Sequence, residues 1–190
     1  MLPSFTKLHY DKNWFSALFS IFTSVVKNGD SGEPLFWFKM NWSNGYKVYP
    51  DASCQNPILE LRWQRKVGIW SWDVFVGERQ IGNIRADFLK SAMSLGVEQW
   101  NLVNSSGNVL LTMEPEKNAM AKHVFDDMLK LYNPTHIYAL KTPAGKDVAY
   151  LTMKHGIWGS TYDFVWVSGN EEQRSIALAL FVAILMMMKK

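Results

Sequence analysis

A single cysteine, Cys54, stands in a chain of 190 residues. No internal disulfide can form, so the fold must rest on packing alone, and a reducing, cytoplasmic setting fits. Charge is scarce too. Only 19% of the residues are Asp, Glu, Lys or Arg, below the usual quarter of a globular chain. With 48% hydrophobic residues beside it, that composition excludes disorder. The net charge of +3 falls short of the concentrated basic stripe that nucleic acid requires, so no nucleic-acid partner is expected.

Signatures of chemistry are also missing. Gly77 and Gly82 have the spacing of a phosphate-binding loop, but Asn83 and Ile84 stand where Lys and Ser or Thr are needed. A hairpin turn explains those glycines. The four histidines are His9, His123, His136 and His155, and none has metal-ligand spacing to a second His or Cys. His123 and Asp127 lie four apart on an expected helix and read as a solvent-face pair. No catalytic residue, metal ligand or cofactor is assigned. A secretion signal is not expected either: Asp11 interrupts the basic leader, and no small-residue cleavage site follows the apolar stretch from Trp14 to Val26. Without such a signal, the glycosylation sequons at Asn41 and Asn104 carry no implication.

Aromatic residues are what the chain has in plenty: 14% of the total, nine of them Trp. Large, stiff aromatics favour a pleated, half-buried surface. Leu35 to Met40 is a short apolar-aromatic run. Ile58 to Lys66 alternates Leu59, Leu61 and Trp63 with Glu60, Arg62 and Gln64. Trp70, Trp72, Val74 and Val76 alternate again, and a period of two means half-buried strands. Three segments repeat the plan of strand, glycine turn and returning strand: Val76 to Ile84, Asn104 to Met113 and Thr142 to Met153. They predict antiparallel hairpins, with glycine where the turn needs positive φ. A last strand puts Tyr162, Phe164 and Trp166 on one face.

Two further helices are expected. Asn13 to Lys27 places Trp14, Leu18, Ile21, Phe22 and Val25 at helical spacing, giving an N-terminal helical extension over residues 1–34. Glu116 to Leu131 carries a stripe of Met120, Val124, Met128 and Leu131, closed by Pro134.

At the C-terminus, Asn170 suits a helix N-cap, with Gln173 in the reciprocal position. Glu171 and Glu172 match the positive end of the helix dipole, and Lys189 and Lys190 the negative end. Between them, Ile176 to Met188 is unbroken apolar sequence. It spans about 20 Å, short of a bilayer core of about 30 Å. A helix apolar all round needs protein on every side, or lipid; its length and caps favour a buried core helix over a membrane span.

The three glycine-turn units, Tyr162-Asp163-Phe164-Val165-Trp166 and the apolar run Ile176 to Met188 resemble the tubby C-terminal-like superfamily, in its phospholipid scramblase-like and LURP-one-related branch. The resemblance covers Leu35 to Lys190. It implies a mainly β (α+β) fold over residues 35–190, a closed antiparallel barrel of about twelve strands around a buried C-terminal helix. It also implies a non-enzymatic module that binds a lipid headgroup or a protein. The chain departs from animal scramblases in having no Pro-rich N-terminus, no cysteine cluster, and only Glu171 and Glu172 as an acidic stretch before the helix. Calcium-activated lipid scrambling is therefore not expected, and no family site residue is transferred.

The densest basic-aromatic segment is Arg62-Trp63-Gln64-Arg65-Lys66. Arg62, Trp63, Arg65 and Lys66 form the candidate surface patch, facing an anionic membrane or a protein partner. Alternation alone also explains this segment, as a strand with outward charges and Trp63 in the core. Two other readings stand beside the binding module. A small-molecule carrier requires an unfilled barrel interior. A hydrolase requires His123, His136 or His155 to meet an acid and a nucleophile.

Overall fold

The computed structural model describes residues 5–13, 23–41, 45–66, 69–86, 100–116, 135–156 and 159–187. These form a closed antiparallel barrel of twelve strands and one helix. The strands are β1 (Lys7–Asn13), β2 (Thr23–Asn28), β3 (Pro34–Asn41), β4 (Gly45–Tyr49), β5 (Leu59–Lys66), β6 (Ile69–Val76), β7 (Arg79–Ala86), β8 (Trp100–Asn104), β9 (Val109–Pro115), β10 (Thr135–Lys141), β11 (Asp147–Gly156) and β12 (Gly159–Trp166). Each strand pairs with its neighbour in sequence, and β1 closes the ring against β12. The helix, α1, is Glu171–Met187.

The three expected hairpins are present. Gly77 (φ 60°), Gly107 (φ 84°) and Gly145 (φ 79°) take the left-handed conformation at the β6–β7, β8–β9 and β10–β11 turns. Local hydrogen bonds set the two longer turns. The Asn104 carboxamide oxygen accepts from the Ser106 and Asn108 amides at 3.0 and 2.9 Å. The Gly145 amide donates to the Thr142 carbonyl at 2.8 Å. Because strands alternate in direction, all three turns lie at one end of the barrel. Four register irregularities, at Val26/Lys27, Val74/Phe75, Leu102/Val103 and Leu140/Lys141, fall near the same end. Bulges of this kind tighten strand curvature at a barrel rim.

The helix begins at this turn end. The Gln173 amide donates to Asn170 Oδ1 at 2.8 Å, and the Asn170 amide donates to Gln173 Oε1 at 3.0 Å, the reciprocal cap read from the sequence. From there α1 runs into the barrel. Ile176 to Leu185 are each at most 3% exposed, which fits a helix with no polar face. Ile176 lies against the backbone of Gly82, where a Cβ would stand 2.3 Å from the Ile176 Cδ1. The Phe181 ring meets Phe164 at 5.5 Å. Leu59, Leu61, Val74, Ile84, Leu102 and Leu111 supply much of the wall around it.

The N-terminal segment differs from the expected helical extension. Asn13 ends β1, and Thr23 to Lys27 belong to β2. Residues 14–22, between them, lie outside the described residues. Pairing explains the difference: Val26 sits opposite Phe36 and Val25 opposite Trp37, and Ser24 and Val26 are buried on one face with a period of two. Barrel closure overrides a local helical spacing. Both strands are part of the barrel, so the described part of residues 1–34 is not a separate extension. The helix expected over Glu116 to Leu131, with His123 and Asp127, lies outside the described residues apart from Glu116.

On the outer wall, His9 ties β1 to β12. Its Nδ1 lies 2.7 Å from Asp163 Oδ1 and its Nε2 2.9 Å from Asp11 Oδ1, and Asp11 also faces Lys27 at 4.0 Å. Partial burial alone would lower the His9 pKa. The hydrogen bonds and charges of Asp163 and Asp11 outweigh it and raise the pKa above 6.5. A raised folded-state pKa gives stability that is fully present below the unfolded value and lost as pH rises through the folded value. His9→Gln is therefore expected to destabilise the protein at about pH 6 and to approach wild-type stability well above the raised pKa. Urea unfolding at both pH values checks this; an equal difference at each would contradict it.

Candidate functional site

The two ends of the barrel differ in chemistry. At the turn end the inward residues are mostly aliphatic, with Phe36, Phe164 and Trp166 among them. At the opposite end, which α1 approaches with its C-terminus, the inward positions turn aromatic and polar. On β1 the inward series runs Leu8, Tyr10, Lys12; on β12 it runs Phe164, Tyr162, Ser160. On β11 it is Leu151, Met153, His155, and on β10 it is Leu140, Tyr138, His136. In each of these four strands the last inward residue described is the polar one.

Three of these polar residues form one row, and His136 lies one position deeper, opposite Met153. Lys12 is the cross-strand partner of Ser160, and Ser160 is the partner of His155. His155 Nδ1 lies 3.0 Å from Ser160 Oγ. The His155 and His136 rings are 5.6 Å apart in a T-shaped arrangement. Beneath them, Tyr162 meets His155 edge-on at 6.2 Å and Tyr10 at 6.0 Å, and the Tyr10 hydroxyl donates to Ser24 Oγ at 3.4 Å. Burial pushes the Tyr10 and Tyr162 phenols up, so both stay neutral. Burial pulls the Lys12 ammonium down from its ordinary value.

On the opposite side of the barrel lies an aromatic ladder. Trp63 packs on Trp72 at 5.7 Å, and Trp72 on Trp100 at 5.7 Å. Trp63 shares the inward face with Leu59 and Leu61, as alternation implied, but it is 45% exposed. It is therefore not a core residue, although its cross-strand partner Trp72 is. The Trp72 indole N–H is buried with no acceptor, a cost of about 1–3 kcal/mol.

The patch read from the sequence is split by the wall. Arg62 points outward: its guanidinium lies 4.0 Å over the Phe75 ring and donates to Glu60 Oε2 at 3.2 Å. Trp63 points the other way. Arg65 and Lys66 end β5 opposite Trp70 and Ile69; their side chains lie outside the described residues. Beside Arg62, Asp73 accepts from Gln64, Gln80 and Asn83, a satisfied network on the outer wall.

No group of three or more His, Cys, Asp or Glu able to hold a metal ion occurs among the described residues. Of the histidines, His136 and His155 come together, whereas His9 faces outward with its two carboxylates. Gly82 is a close-packing position for α1 and carries no phosphate-loop chemistry. No helix among the described residues is long and apolar enough to cross a membrane. The chain matches no protein-family model, no curated protein and no solved structure.

Proposed function

We propose that the protein is a non-enzymatic binding module of the tubby-like, scramblase-like type, which docks the end of its barrel opposite the glycine turns on an anionic phospholipid surface from the cytoplasmic side. The observation that carries this reading is α1 inside the barrel. A helix buried from Ile176 to Leu185 occupies the space a carrier would need, and directs binding to the rim and outer wall. Twelve antiparallel strands closed around a C-terminal helix support the tubby-like reading, because that is the architecture the resemblance implies.

The residues described at this end suit a membrane interface. Trp63 offers an amphipathic ring at the rim, the chemistry of interfacial aromatics, and β5 ends on Arg65 and Lys66. Each basic residue near an anionic surface contributes about 1 kcal/mol. Co-sedimentation with phosphatidylcholine vesicles, with and without phosphatidylserine, tests the reading. Binding is expected only with the anionic lipid. The double variant Arg65→Ala/Lys66→Ala is expected to weaken it by about 2 kcal/mol, roughly thirtyfold. Equal, negligible sedimentation with both vesicles would sink the lipid reading and leave a protein partner as the alternative.

A further inference from the structure

We propose that the outer wall of β3 and β4 is a docking surface for an acidic peptide segment of a partner protein. Lys39 on β3 and Lys47 on β4 are direct cross-strand partners. Both take the outer face, because their chain neighbours Phe38 and Val48 are buried in the core. Like charges directly opposite on one face of a sheet destabilise it. Neither ammonium forms an ion pair with a described residue. Glu60, in register with Lys47 on β5, is engaged by the Arg62 guanidinium at 3.2 Å. Residues 14–22 and 42–44, which adjoin these strands in the chain, include no Asp or Glu.

Lysines on a sheet often guard an exposed edge. β3 and β4 are paired on both sides within a closed barrel, so they have no edge to guard. A repulsive pair kept without a counter-ion of its own is matched by an anion from outside the chain.

The surroundings select that anion. Trp37 shares the outer face of β3 with Lys39 and is half-buried between Val25 on β2 and Tyr49 on β4. An apolar strip therefore borders the charged pair on its turn-end side. A phosphate group matches the charges and leaves the strip uncovered. A peptide with an apolar side chain beside its carboxylates matches both. The wall of a closed barrel is also convex across its strands. A flat bilayer meets such a wall along a line, whereas an extended chain follows the curve. The two lysines stand on strands about 4.8 Å apart, and alternate residues of an extended chain, about 6.6 Å apart, can supply a carboxylate to each.

The surface lies apart from Arg65 and Lys66, which carry the proposed membrane contact, so the two readings fail separately. Fluorescence anisotropy is measured on the full chain with two labelled, end-blocked peptides, Glu-Glu-Leu-Glu-Glu and Gln-Gln-Leu-Gln-Gln. The acidic peptide is expected to bind about tenfold tighter at low salt. The difference is expected to vanish at 1 M salt, where the screening length is about 3 Å. Lys39→Gln/Lys47→Gln is expected to remove the preference. Arg79→Gln/Lys146→Gln, which takes the same charge from two exposed turn residues, is expected to keep it. Thermal unfolding adds a second readout. With the repulsion gone, Lys39→Gln is expected to raise the midpoint by about 1–4 °C; a lowered midpoint would show a lysine that the fold itself needs, and would overturn the proposal. Equal binding of the two peptides, or an acidic preference that survives Lys39→Gln/Lys47→Gln, would also overturn it. So would the absence of peptide binding beside sedimentation with phosphatidylserine vesicles that the same double variant abolishes, which would make the surface a lipid contact.

Discussion

A chain ending at Ser175 is expected not to fold. The truncation removes Ile176, Leu178, Leu180, Phe181, Val182, Ile184 and Leu185, all buried inside the barrel. Burying one such side chain contributes about 1.5–3 kcal/mol, so the seven together contribute on the order of 10–20 kcal/mol. A domain of this size has only about 5–15 kcal/mol of net stability. The strands would close on an empty space, or collapse without a single packing. Urea unfolding followed by Trp fluorescence is expected to show no cooperative transition for the truncated chain. A soluble truncation with a sharp transition would mean that the barrel stands without its helix.

The second large effect is expected at Gly82. A Cβ there would lie 2.3 Å from the Ile176 Cδ1 and 2.3 Å from the Val103 carbonyl oxygen. The first neighbour is the end of a side chain and can yield; the second is the backbone of β8 and cannot yield without moving the strand. Gly82→Ala is therefore expected to cost about 1–3 kcal/mol, the usual penalty of overpacking a full core. Ile176→Ala alone opens a cavity and is expected to cost about 2–5 kcal/mol. Combined, the two are expected to cost less than their sum, because Ile176→Ala relieves one of the two clashes. A coupling of about 0.5–3 kcal/mol is the scale for residues in contact. Strict additivity would show that α1 does not lie against β7.

The sequence discloses α1 in full because its signals are local. A cap, an acidic first turn and an unbroken apolar run all sit within one segment. The three hairpins are disclosed for the same reason, since each glycine turn lies between short alternating runs. β2 is hidden because its inward residues are only Ser24 and Val26, and its apolar residues also fit helical spacing. What makes it a strand is β3, opposite it. The inward face of Trp63 follows from alternation, but not its exposure. The row Lys12, Ser160 and His155, with His136 one position deeper on β10, is more hidden still. Its members are scattered along the chain and meet only through the register of β1, β12 and β11. One signal is available: in each of the four strands the inward series passes from Leu or Phe, through Tyr or Met, to a polar residue. Read strand by strand it looks like the fading of a pattern. Read around a closed barrel it marks one end as different.

Native-state hydrogen exchange of the α1 amides tests the central claim most directly. If the helix is the core of the barrel, the amides of Phe181 to Leu185 open only when the whole protein unfolds. Their exchange free energy should then equal the global unfolding free energy and fall with urea at the full global slope. Exchange of those amides through a low-energy opening insensitive to urea, while the amides of β5 and β11 stay protected, would show a helix that leaves the barrel on its own. That result would contradict a filled interior and every conclusion drawn from it about where ligands bind.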